Sequence, residues 1–394
     1  MATTRKRLST LFAAAAATAL TLTACAGQPP EQATSTNGTA TTATARSVED
    51  DGEFDLDALI AAAQDEGPIT IYDNASAVKV MAEAFQEKYG IEATGVKVGS
   101  SEQLEIVQRE AESGNVVGDV IAIPDIPALN NQLIPNGFVT NWIPNDLKDN
   151  IPPSMQEPLV LIHDPNVWTY NDSAYAEQPV SNMWELTNEE WRGRVAMEDP
   201  VGSNKLLDWF SQMAQFGEDE LVSAYEDLYG EPFVTEYDTA AHEWVARMAA
   251  NDPILTSSNE DVSAAVGQPG QENPPIGLMA SSKYRNIEEK GYAHAPLENL
   301  NPWTGWVSPK AIVISSNTSS PNAAKLFVHF ALTEEGIAPQ INDGKISSNS
   351  EIEQPEDPSN MRRHAKDMFY SDNAGVDADW ASRQDWQDFW RIHS

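Results

Sequence analysis

One cysteine, Cys25, stands in 394 residues, so intrachain disulfides and multi-thiolate metal centres are excluded. Basic residues are also scarce: 24 Lys and Arg face 60 Asp and Glu, for a formal charge of −36. Nothing in that balance neutralises phosphates, which excludes a nucleic-acid partner. The charge reads as a solvated, colloidally stable surface and says little about any ligand. Six histidines are scattered without metal-ligand spacing. His242-Glu243 opens a zinc-protease pattern, but Ala246 stands where the second histidine is required. Asp372, Asn373, Asp377 and Asp379 are dense in oxygen but lack EF-hand spacing. The phosphate loop, the GxGxxG turn and the GxSxG elbow are missing too. Neither an enzyme nor a cofactor is therefore expected. No run reaches the about 18 apolar residues that a membrane span requires.

What is present begins at the N-terminus. Arg5, Lys6 and Arg7 precede an alanine-rich apolar run from Leu8 to Leu22, with the make-up of a signal segment. The run ends in Leu22-Thr23-Ala24-Cys25, followed by Ala26 and Gly27. This is similar to the lipobox of bacterial lipoproteins, in which the cysteine is acylated and becomes the new N-terminus. The expectation is a leader over 1–24, lipid attachment at Cys25 and a tether over 25–52 rich in Thr, Ala, Gln and Ser. Attachment would rest on lipid alone, at the outer face of the cell membrane.

The remaining length exceeds one hydrophobic core, which stops growing beyond about 250–300 residues. Hydrophobic content of 41% and 11 Trp suffice for two. From residue 54 the pattern alternates between strand and helix. Ile69 to Tyr72, Ile91 to Val98 and Asp119 to Pro124 read as strands. Asp55 to Gln64 reads as a short amphipathic lead-in, and Ala77 to Tyr89 and Ser101 to Ser113 read as helices, with Gly90 a C-cap. Such alternation predicts an α/β lobe on a parallel sheet. A helix-rich middle follows, with short strands at Val195–Met197 and Ile276–Met279. Lys310 to Ser315 then gives a strand and Pro321 to Leu332 a helix, both resembling a return to the first lobe. The expected organisation is a first lobe over 53–169, a second over 170–302, a return over 303–350 and a helical tail over 351–394. Two crossovers would form a hinge. Trp380, Trp386, Phe389 and Trp390 in the tail either pack on the body or present a partner surface.

Several segments carry a family resemblance. They include Ile69–Asn74 with the following helix, Ala111-Glu112-Ser113-Gly114, Gly118-Asp119-Val120-Ile121 and Trp184-Glu185-Leu186. Trp191 to Pro200, Pro309 to Ile314 and Pro321 to Phe327 complete the set. In this order the chain resembles extracellular solute-binding proteins of ATP-binding cassette importers, in the ferric-iron, thiamine, phosphonate and putrescine group. The resemblance spans about residues 67–345. It implies a two-lobed type II periplasmic-binding fold that closes on a small-molecule ligand, a permease partner and a monomer. The group's ferric-iron members use adjacent tyrosines; here Tyr284 stands alone between Lys283 and Arg285.

Ligands of open α/β sheets sit beyond the carboxyl ends of the strands. That rule selects Asp73 and Asn74, then Ser100 and Ser101, then Asp125. Ser100 and Ser101 open a helix whose free N–H groups favour an anion, or they only cap it. Asp199 and Ser203 form a similar helix start in the second lobe, with Asp199 equally readable as a turn residue. Ser258 lies in a third polar turn. Lys283, Tyr284 and Arg285 follow a strand, where the two cations could hold a phosphate, phosphonate or carboxylate, or pair with Glu288 and Glu289. Tyr170 marks the first crossover; Trp303 and Trp306 mark the second, where they stack on a ligand or pack the hinge. The expected ligand is a small polar anion. Ferric iron, a sugar and a sensor role remain the alternatives.

Overall fold

A computed structural model describes residues 54–394; the leader, Cys25 and the segment to residue 53 lie outside the described residues. Asp55 Oδ1 accepts from the Ala58 N–H at 3.0 Å and starts helix α1 (Leu56–Gln64). The chain continues through strand β1 (Ile69–Asp73) into helix α2 (Ala77–Tyr89). Val78, Met81, Ala82, Phe85 and Tyr89 recur at helical spacing and are the buried face of α2. Gly90 stops it at φ 70°, the left-handed region in which a side chain would be strained. Strand β2 (Ala93–Lys97), helix α3 (Ser100–Ser113) and strand β3 (Val120–Ile123) complete the first pattern. Both β2 and β3 run parallel to β1.

Strand β4 (Val160–Tyr170) then leaves this lobe. The second lobe comprises β5 (Val195–Glu198), α4 (Asn204–Phe216), α5 (Glu218–Tyr229) and α6 (Ala240–Ala250). After them come β6 (Ile254–Thr256), α7 (Asn259–Gly267) and β7 (Ile276–Ala280). Strand β8 (Gly305–Ser315) returns and leads to α8 (Pro321–Ala331), α9 (Glu334–Ile341) and finally α10 (Val376–His393). The sheet order is β2-β1-β3-β8-β4-β7-β5-β6. Strands β4 and β8 each hold 11 residues and pair antiparallel, from Gly305 opposite Val167 to Ala311 opposite Val160. One end of this pair joins β3 and the other joins β7, so both crossovers lie side by side.

Separate cores lie on either side of that pair. Phe85 meets Phe327 and Phe330 edge-on in the first, with centroids 5.3 and 5.7 Å apart. Trp168, Trp184, Trp209, Phe210 and Trp244 fill the second. Each such ring, fully buried, is worth about 1.5–3 kcal/mol of transfer free energy. Trp306 stacks on Trp209 at 5.6 Å, and Trp303 is packed in the same core. Helix α10 lays Trp386 and Trp390 against Phe210, each at 5.9 Å. Its first residue, Val376, packs instead with the first lobe's Val98, Val107 and Ile126. Among the described residues, no helix is long and apolar enough to cross a membrane.

Candidate functional site

The carboxyl ends of β1 and β3 open onto a cavity of about 400 Å³. Asn74, Ser100, Pro124 and Asp125 line it from the first lobe, and Ser203, Asn204, Lys205 and Asp208 from the second. Asp164 and Asn166 of β4, with Ser308, Pro309 and Lys310 of β8, line it along the crossover pair. A cavity of this size suits a small organic molecule.

Two helices begin at this cavity. Helix α3 starts after Gly99 and α4 after Ser203, and among the described residues neither receives a side-chain cap. Their first N–H groups lack intrahelical acceptors and carry the positive end of each helix dipole. Two ammonium groups add to them. Lys205 Nζ lies 2.6 Å from Glu198 and keeps part of its surface exposed. Lys310 Nζ lies 2.7 Å from Asp73 Oδ1, and both side chains are buried. Gln340 Nε2 donates to the other Asp73 oxygen at 2.8 Å, and the Ala75 N–H to Oδ1 at 2.8 Å. Asp73 therefore sets the position of Lys310.

Asp125 and Asp208 are held differently. Asp125 Oδ1 caps the turn at Ala128 N–H at 3.0 Å, and both carboxylates also accept from Arg383 of α10. Burial pushes the Asp208 carboxyl up to about 7, against the pull of that guanidinium. Asn74 Nδ2 donates to Ser100 Oγ at 3.3 Å. Asn74 Oδ1 and Asp164 Oδ1 are buried without a hydrogen-bond partner among the described residues.

The structure thus brings Asn74, Ser100, Asp125 and Ser203 to one cavity, with Asp73 beneath Lys310. Ser101 is the second residue of α3. The other candidates lie elsewhere. Asp199 Oδ1 accepts from Val201 N–H at 2.9 Å and shapes the turn before α4. Ser258 caps α7, accepting from Asp261 N–H at 3.2 Å. Tyr170 is half-buried against Tyr175, its ring edge-on at 6.5 Å. Tyr284 is buried and shares a 2.8 Å hydrogen bond with Thr169 Oγ1. Burial raises the pKa of its phenol well above the ordinary value. Lys283 pairs with Glu260 at 3.0 Å, and Arg285 with Asp343 at 2.9 Å. Neither Lys283 nor Arg285 lines the cavity.

Lys205, Lys310, Asp164, Asp208 and Arg383 escape the sequence reading. Lys310 left a signal: a lysine at the head of a buried apolar strand needs a buried acidic partner. Among the described residues, no group of three or more His, Cys, Asp or Glu is placed to hold a metal ion.

The model of the bacterial extracellular solute-binding protein family matches residues 80–365. Among solved structures, iron-bound HitA from Pseudomonas aeruginosa is similar at TM-score 0.59 and 18% identity, over 83% of this chain and 99% of that one. A Trichodesmium protein in complex with iron and citrate gives 0.60 and 14%, over 83% and 99%. AfuA from Actinobacillus pleuropneumoniae, with fructose-6-phosphate bound, gives 0.58 and 18%, over 83% and 98%. At these identities the likeness establishes the fold, that of the two-lobed periplasmic binding proteins. No curated protein matches the chain.

Proposed function

This chain belongs to the bacterial extracellular solute-binding proteins, and from that premise we propose that it captures a small organic anion and hands it to an ATP-binding cassette importer. The anionic group is a phosphate, phosphonate or carboxylate. One observation carries this reading: uncapped helix starts from both lobes, at Ser100 and Asn204, meet Lys205 and Lys310 around one cavity. Backbone donors and dipole ends at one cleft favour negative charge locally, whatever the sign of the distant surface. The unpartnered oxygens of Asn74 and Asp164 supply acceptors for hydroxyls on the same ligand. A hydroxylated phosphate ester satisfies both sets, and AfuA holds fructose-6-phosphate in a related fold. Ferric iron, bound in HitA, favours phenolates, and Tyr284 is committed to Thr169 outside this cavity. The protein works as a monomer, held at the outer face of the membrane by an acyl chain on Cys25.

Calorimetric titration with fructose 6-phosphate, fructose and inorganic phosphate tests the ligand class. The ester should bind most tightly, and Lys205→Gln should weaken it about tenfold, as expected for one charge-assisted hydrogen bond. Equal affinity for fructose with and without its phosphate sinks the anion reading.

A further inference from the structure

Asp125 and Asp208 face the cavity from opposite lobes, yet neither carboxylate is free. Arg383 engages both. Its Nε and Nη2 donate to Asp208 Oδ1 and Oδ2 at 2.7 Å each. The same Nη2 donates to Asp125 Oδ1 at 2.6 Å, and Nη1 to Asp125 Oδ2 at 3.3 Å. All three side chains are largely buried, with 11, 14 and 16% of their surfaces exposed for Arg383, Asp125 and Asp208. A planar guanidinium is the side chain suited to two carboxylates at once, since its five donors are fixed in a fork.

The helix that carries it is firmly placed. Trp386 and Trp390 pack on Phe210, and Gln212 and Gln215 donate to Asp379 at 2.6 and 2.8 Å. Helix α10 begins at Val376, beyond the family match that ends at residue 365. The counter-charge of two cleft carboxylates is thus delivered from outside the segment that defines the family. Without it, two acidic oxygens from opposite lobes would converge on one spot, an arrangement that invites a cation and resists lobe approach.

We propose that Arg383 determines the charge preference of the cleft: by engaging Asp125 and Asp208 it reserves the cavity for an anion and ties the two lobes through α10. The proposal rests on the anion reading above and can fail separately from it. Purified wild type, Arg383→Gln and the triple variant Arg383→Gln/Asp125→Asn/Asp208→Asn would be titrated with terbium(III), read by luminescence, and with fructose 6-phosphate, read by calorimetry. Arg383→Gln should gain about tenfold or more in terbium affinity and lose a similar factor for the ester, because two buried carboxylates are left uncompensated. The triple variant should lose the terbium gain and recover ester binding, which a merely structural role for Arg383 would not restore. The difference between these two variants isolates the site from the acidic surface. Equal terbium affinity in wild type and Arg383→Gln overturns the proposal. If wild type takes no ester, the anion reading falls while the terbium comparison still judges Arg383. Should Arg383→Gln fail to fold, Asp125→Asn/Asp208→Asn leaves the guanidinium unpaired and should bind fructose 6-phosphate more tightly; unchanged or weaker binding overturns the proposal.

Discussion

Lys310 combines a buried ammonium with a place in the cavity wall, and Asp73 is what makes that tolerable. Removing one member of a buried pair strands the other charge, whereas removing both does not. Lys310→Met should therefore cost about 3–5 kcal/mol in urea unfolding, and Asp73→Asn/Lys310→Met distinctly less. Similar losses in the single and double variants would show that the pair is not the source of the effect. At this scale the sequence was half legible. Strand ends pointed to Asn74, Ser100 and Asp125, because the position of a loop beyond a parallel sheet follows from topology alone, and a second helix start pointed to Ser203. Cations were harder. Lys283 lies 23 residues from Glu260 in the chain, and Lys310 237 residues from Asp73. No pattern in the sequence reveals which lysine a carboxylate has claimed.

Elements were easier to read where one face is buried. The apolar spacing and terminal glycine of Ala77–Tyr89 define that helix at both ends. Strand β4 and the first half of β8 hid because each carries an interior proline, Pro165 and Pro309, which normally argues against a strand. Only the Lys310–Ser315 half of β8 reads as apolar; Asp164, Asn166 and Ser308 interrupt the rest where the pair passes the cavity. Strand β4 also holds His163, fully buried, with both ring nitrogens unpartnered among the described residues and Tyr370 edge-on at 5.2 Å. Burial lowers its pKa to about 4. An unfolded histidine titrates near about 6.5, so between those values the unfolded chain binds a proton that the folded one refuses. Stability supplied by the neutral ring is complete above the unfolded pKa and is lost as pH falls toward the folded one. The loss approaches about 3 kcal/mol by pH 4. His163→Phe should remove this contribution, so its unfolding free energy should fall less than the wild type's between pH 7.5 and 4.5. Parallel pH profiles for the two proteins would count against a buried neutral ring.

At the scale of the whole molecule, the proposed location rests on the N-terminus. With 60 acidic residues against 24 basic ones, it has no charge with which to hold an anionic bilayer. Among the described residues no helix can span one. On the proposed reading, an acyl chain on Cys25 keeps the ligand-delivering protein near its permease. The segment between Cys25 and residue 54 is rich in Thr, Ala, Gln and Ser, and large apolar residues are nearly missing from it. Electrostatic attachment is screened beyond about 8 Å at physiological salt, whereas acyl insertion is indifferent to it. Wild-type protein should therefore sediment with membranes and resist washing with molar salt, while Cys25→Ser should appear in the medium. Release of the wild type by salt, or retention of Cys25→Ser on the membrane, would mean that some other contact holds the protein in place.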